Sequence, residues 1–114
     1  MNPSTWKEIH LAIWKDVIAE RQRQTIKHGL NKLPDGTQPD LWPILDQIRA
    51  LVEAKTEGGE HTFAEVLAEE FLEVITEADP ARLDCELIQL TAVCVAWLER
   101  LRASKTGNGL LWRA

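Results

Sequence analysis

Phe63-Ala64-Glu65-Val66-Leu67-Ala68-Glu69-Glu70-Phe71-Leu72-Glu73-Val74-Ile75-Thr76-Glu77-Ala78-Asp79-Pro80 is the stretch on which the fold turns. Phe63, Val66, Leu67, Phe71, Val74 and Ala78 fall on one side of a helix turning about 100° per residue. Thr62 precedes the run and Glu65 follows it three residues later, the pattern of a capping box. Asp79-Pro80 ends this helix and opens the next, with aspartate as N-cap and proline at the first helical position. Glu70 projects into the middle of the apolar stripe, between Val66 and Phe63, with Glu77 close by and Glu73 at the stripe's edge. An ionised carboxylate on such a face is costly to bury unless it is paired or holds a metal.

The following helix is expected from Pro80 to about Ala103 and carries a second acidic segment, Glu86-Leu87-Ile88-Gln89. Glu86 falls between Val93 and Trp97, again beside an apolar face. The short Asp79-Pro80 connection predicts that the two helices lie antiparallel, with the Glu70, Glu73 and Glu86 carboxylates in one cavity. Carboxylates converging from two helices repel one another unless a cation joins them. Hard oxygen ligands of this kind suit Mg²⁺ or Mn²⁺. The plainer alternative is a solvated helix face.

Further out, a first helix is predicted from Trp6 to His28, capped by Thr5 with Glu8, its stripe formed by Trp6, Ile9, Ile13, Trp14, Val17 and Ile18. Gly29 suits the position just past its end. Leu30 to Asp40 reads as a long loop with a turn at Pro34-Asp35-Gly36-Thr37. A second helix runs from Leu41 or Trp42 to about Ala54, with Pro43 in its first turn and Gly58-Gly59 closing it. Its apolar face is Ile44, Leu45, Ile48, Leu51 and Val52. No strand pattern or repeat appears. The expectation is one all-α, four-helix domain over residues 1–103, followed by a mobile tail over 104–114. The fourth helix is apolar almost all round between Leu87 and Leu98. It is therefore either a subunit interface or the centre of its own bundle.

With 114 residues the chain can bury one modest core, and its formal net charge of -5 argues against a nucleic-acid or anionic-membrane surface. The apolar run from Leu87 to Leu98 is too short to span a bilayer. Cys85 and Cys94 point in different directions on one helix, so they read as reduced core-type thiols. Neither has zinc-site spacing. No signal-peptide pattern opens the sequence, and a cytoplasmic location is expected.

Glu69-Glu70-x-x-Glu73, then Glu86 after twelve intervening residues, resembles the paired Glu-x-x-Glu and Glu-x-x-Asp motifs of the MazG-like, all-alpha nucleoside triphosphate pyrophosphohydrolases. Gln89 stands where that family usually has aspartate. Glu20-Arg21-Gln22-Arg23-Gln24, Lys27-His28-Gly29 and Pro34-Asp35-Gly36-Thr37 resemble a subgroup of small MazG-like proteins common in phages and prophages. The likeness covers about Ile18 to Leu101. It implies Mg²⁺-dependent cleavage of a nucleotide between its α- and β-phosphates, giving a nucleoside monophosphate and pyrophosphate. It also implies a homodimer or homotetramer with sites near the subunit interface.

The candidate catalytic residues are accordingly Glu69, Glu70, Glu73 and Glu86. Glu70, Glu73 and Glu86 are the candidate metal ligands, with Gln89 a further one through its amide oxygen. Glu69 points further round, towards a second metal or towards the attacking water. Arg21, Gln24 and Lys27 are the candidate substrate-binding residues. Arg21, Arg23 and Lys27 read either as a cationic wall for phosphate or as an ordinary charged helix face. The competing function is a non-catalytic metal- or nucleotide-binding module on the same scaffold, which the uncharged Gln89 favours.

Overall fold

Capping and proline chemistry set most of the helix boundaries. The computed structural model describes residues 3–28 and 33–105, with the backbone alone at 3, 4, 28 and 105. The elements are α1 (Pro3–His28), a single 3₁₀ turn (Pro39–Leu41), α2 (Trp42–Glu57), α3 (Phe63–Thr76) and α4 (Pro80–Lys105). Among the described residues there is no strand, so the protein is all-α. No described helix is long and apolar enough to cross a membrane. Gly29 and the expected tail from residue 106 onward lie outside the described residues, whereas Ser104 and Lys105 still belong to α4.

Three further boundaries differ from the sequence expectation. α1 starts at Pro3, so Thr5 sits inside the helix and is not its N-cap. Proline is tolerated there because the first-turn N–H groups have no helical acceptor. α2 runs on to Glu57, where the Gly58 N–H reaches Ala54 O at 3.2 Å and Gly59, with φ 71°, lets the chain turn back. α3 stops at Thr76, because Glu77 has left the helical region at ψ 120°.

The described residues sort into two compact units, one formed by α1 with the chain from Val95, the other by Gly36–Cys94. In the second unit, two ion pairs join α2 to α3, Arg49 with Glu73 and Lys55 with Glu65. The later residue on α2 meets the earlier one on α3, so the two helices run antiparallel. Leu45 is buried in this unit. The Gln38 N–H donates to Ile75 O at 2.7 Å, tying the end of the long loop to a last-turn carbonyl of α3. The Thr62 N–H donates to Glu65 Oε2 at 3.1 Å, as the capping box requires. Lys55 first, and the Thr62 hydroxyl next, hold the Glu65 carboxyl down at about 2.

The turn from α3 to α4 is only Glu77-Ala78-Asp79. Asp79 Oδ1 accepts the Ala81 N–H at 3.1 Å and its carbonyl accepts the Leu83 N–H at 2.8 Å, as an N-cap does. The Asp79 N–H in turn donates to Glu77 Oε1 at 3.1 Å. This tight connection folds α4 back along α3.

In the first unit Ile9, Ile13, Val95 and Ala103 are buried together, with Val17 and Leu98 packed against them. Ile13 is fully buried. Arg102 Nη2 pairs with Asp16 Oδ2 at 2.8 Å across this contact. Trp6, Trp14 and Ile18, expected on the apolar face of α1, are exposed at 43%, 38% and 57%. The buried stripe is therefore the narrower set Ile9, Ile13 and Val17. The two tryptophans flank His10, Trp6 stacked on it at 4.9 Å and Trp14 Nε1 donating to its Nε2 at 3.0 Å.

Candidate functional site

Glu69, Glu70 and Glu73 sit on α3 and Glu86 on the first part of α4, all four partly buried. Glu70 lies six residues before the end of α3 and Glu86 six residues after the start of α4, so the hairpin brings them level. One carboxylate oxygen from each of Glu70, Glu73 and Glu86 lies within 4.8 Å of the others. The three ligand candidates expected to share a cavity are thus together.

Their electrostatics follow from crowding. Burial, and then the neighbouring Glu73 carboxylate, push the Glu70 carboxyl up to about 7. Burial also raises Glu86, reinforced by a hydrogen bond with Glu73 and the charges of Glu73 and Glu77. Glu69 is raised as well, by burial and then by the charge of Glu73. Arg49 opposes the rise at both Glu69 and Glu86. Glu70 Oε2 and Glu86 Oε2 are buried and have no hydrogen-bond partner. A buried acceptor without a donor is destabilising. Unpartnered oxygens on two of three converging carboxylates are a donor set that could hold a hard divalent cation such as Mg²⁺ or Mn²⁺.

Gln89 is exposed, in contrast to the partly buried Glu86 one turn before it. Glu77 has a structural task as well, since it accepts the Asp79 N–H at the turn. Arg21, Gln24 and Lys27 belong to the α1 unit. Arg21 Nη1 donates to Thr25 Oγ1 at 3.2 Å, and Gln24 Nε2 to Glu20 Oε1 at 3.4 Å. Arg21 and Gln24 line an open cleft floored by Ile13, Val17 and Leu98, while Lys27 is exposed. Arg23 pairs with Glu20, through Nε at 2.8 Å and through Nη2, both side chains being exposed. Cys85 and Cys94 are free, but they are exposed and not the core thiols the sequence suggested.

Sequence reasoning missed Arg49. Its Nη2 lies 3.3 Å from Glu73 Oε1, at the edge of the acidic cluster. The sequence carried little signal for it: Arg49 lies at the rim of the α2 stripe, just past Leu45, where a charged residue is ordinary, whereas Glu70 falls inside the stripe of α3.

No family model matches the chain, and neither a curated protein nor a solved structure does.

Proposed function

We propose that this protein is a metal-dependent nucleoside triphosphate pyrophosphohydrolase, cleaving a nucleotide between its α- and β-phosphates to give a nucleoside monophosphate and pyrophosphate. The observation that carries the reading is the meeting of Glu70, Glu73 and Glu86, two of them with an orphaned buried oxygen. The ordered Glu-Glu-x-x-Glu and Glu86 segments, and their resemblance to the MazG-like family, add the substrate class.

Glu70, Glu73 and Glu86 would hold the cation, Gln89 offering a further amide oxygen by a change of rotamer. A Mg²⁺ or Mn²⁺ ion held there would supply charge neutralisation for the polyphosphate and a lowered pKa for a bound water. Glu70, raised to about 7, would have to lose its proton to serve as a ligand. Glu69, raised by burial and free of a ligand role, accepts a hydrogen bond from the attacking water and then its proton. Arg21, Gln24 and Lys27 are proposed to bind the nucleotide. The exposed Leu87, Ile88 and Leu101 on α4, at 44%, 66% and 45%, support a homodimer or homotetramer as the working form. A cytoplasmic protein with a nucleotide as its partner follows from the same reading.

Pyrophosphate release from a panel of canonical and modified nucleotides in Mg²⁺ tests the proposal. Turnover that chelation stops, and that Glu70→Ala or Glu86→Ala abolishes, is the expected result. Losing a ligand that acts in the transition state costs on the order of a thousandfold in rate. A second reading, a non-catalytic metal- or nucleotide-binding module, is favoured by the exposed, uncharged Gln89. Metal binding without hydrolysis of any nucleotide in the panel would establish that reading instead.

A further inference from the structure

A cation reaches the acidic cluster from outside the α3–α4 hairpin. Arg49, on α2, places Nη2 3.3 Å from Glu73 Oε1. Glu73 is largely buried, its side chain 15% exposed, whereas the Arg49 side chain is 51% exposed. The guanidinium therefore has one end on the cluster and room to move on the solvent side. Its charge also counteracts the raised carboxyls of Glu69 and Glu86, so it acts on several members of the cluster together.

Two features of this arrangement bear on the chemistry. The Arg49 guanidinium is the solvent-reached end of this pair, whereas the largely buried Glu73 needs a cation beside it, so Arg49 can leave only when another cation takes its place. A divalent cation brought to Glu73 would repel the guanidinium already there, since both claim the same carboxylate. A released guanidinium stays tethered beside the cluster, and its planar fork of N–H donors matches phosphate oxygens.

We propose that Arg49 is an exchangeable counter-ion of the cluster, holding Glu73 in the metal-free protein and turning to the polyphosphate of the substrate once a divalent cation takes Glu73. This inference rests on the reading of Glu70, Glu73 and Glu86 as a metal site. It assigns Arg49 opposite effects on two ligands. Arg49 competes with the cation and cooperates with the phosphate.

Calorimetric titration of the full chain with Mn²⁺, and then of the Mn²⁺-loaded protein with inorganic tripolyphosphate, separates these effects. Arg49→Gln is expected to bind Mn²⁺ several-fold more tightly than the parent and tripolyphosphate about tenfold more weakly. Arg49→Lys keeps the charge without the fork, so Mn²⁺ affinity should stay near the parent's while tripolyphosphate affinity falls. An α2–α3 strut with no ligand role would leave both affinities unchanged, or lower both together through misfolding, and either pattern in both variants overturns the proposal. A parent protein that takes up no Mn²⁺ overturns the metal-site reading itself, and this inference with it. A parent that binds both ligands, with variants indifferent to the substitution, overturns the inference about Arg49 alone.

Discussion

Glu70 holds its proton into the neutral range because burial and Glu73 both disfavour its charge. The folded pKa, about 7, lies above the ordinary value of 4.5, so between those limits the folded chain binds more protons than the unfolded one. The associated stability is complete below 4.5 and is lost as pH rises through 7. In chelator, the melting temperature should therefore fall between about pH 5 and about pH 8, and Glu70→Gln should flatten that slope in calorimetric melts. Glu65 acts in a separate window. Its carboxyl is held at about 2, so its contribution is present above 4.5 and is lost as pH falls through 2. Glu70 was legible in the sequence because a charge inside a periodic apolar stripe is conspicuous. Arg49 carried no such mark, because it lies at the rim of the α2 stripe, and its partner could not be read. A helix's own periodicity gives the direction of a side chain and not what lies opposite. For Gln89, Gln89→Asp should tighten Mn²⁺ binding if its side chain reaches the cation, and calorimetry of that variant checks it.

The hairpin of α3 and α4 depends on a small number of cap contacts. Asp79 accepts the Ala81 N–H and receives a partner for its own N–H from Glu77. Asp79→Ala should cost about 1 kcal/mol in urea unfolding, the usual worth of an N-cap. The same change should loosen Mn²⁺ binding, because Glu86 depends on the start of α4 for its level against Glu70. In the α1 unit, Ile13→Ala should cost about 2–5 kcal/mol, since Ile13 is fully buried and its removal leaves a cavity. Helix positions were the most legible part of the fold. Thr62 with Glu65, and Asp79 with Pro80, are local signals that act over one turn, and the structure uses both. Thr5 with Glu8 has the same form and is not used as a cap, because Pro3 already starts the helix. Trp6, Trp14 and Ile18, expected inward, are exposed, because Ile9 and Ile13, with Val17 partly buried beside them, supply the face that meets Val95, Leu98 and Ala103.

For the whole molecule, the exposed apolar residues predict self-association. Phe71, Leu87 and Ile88 in the unit holding the cluster are 51%, 44% and 66% exposed. Light scattering at micromolar concentration should give at least a dimer, and Ile88→Glu should shift it towards monomer. A monomeric parent would leave these side chains without the proposed partner. The division into two compact units crosses the chain twice: between Asp35 and Gly36, in a turn the sequence marks, and within α4 between Cys94 and Val95, where no glycine or proline interrupts the helix and the sequence carries no marker. Such a division comes from which helices pack together, and hydrophobic pattern specifies only that each has a face to cover.

Glu70, Glu73 and Glu86 are proposed to form one divalent-cation site whose occupation displaces a proton from Glu70. Calorimetric titration of the full chain with Mn²⁺ near pH 7, in two buffers of different ionisation enthalpy, tests it most directly. Saturable binding is expected, with an apparent enthalpy that differs between the buffers because protons are released, and both features should be lost in Glu70→Gln. Absence of saturable Mn²⁺ binding, or binding that Glu70→Gln and Glu86→Gln leave intact, would contradict it.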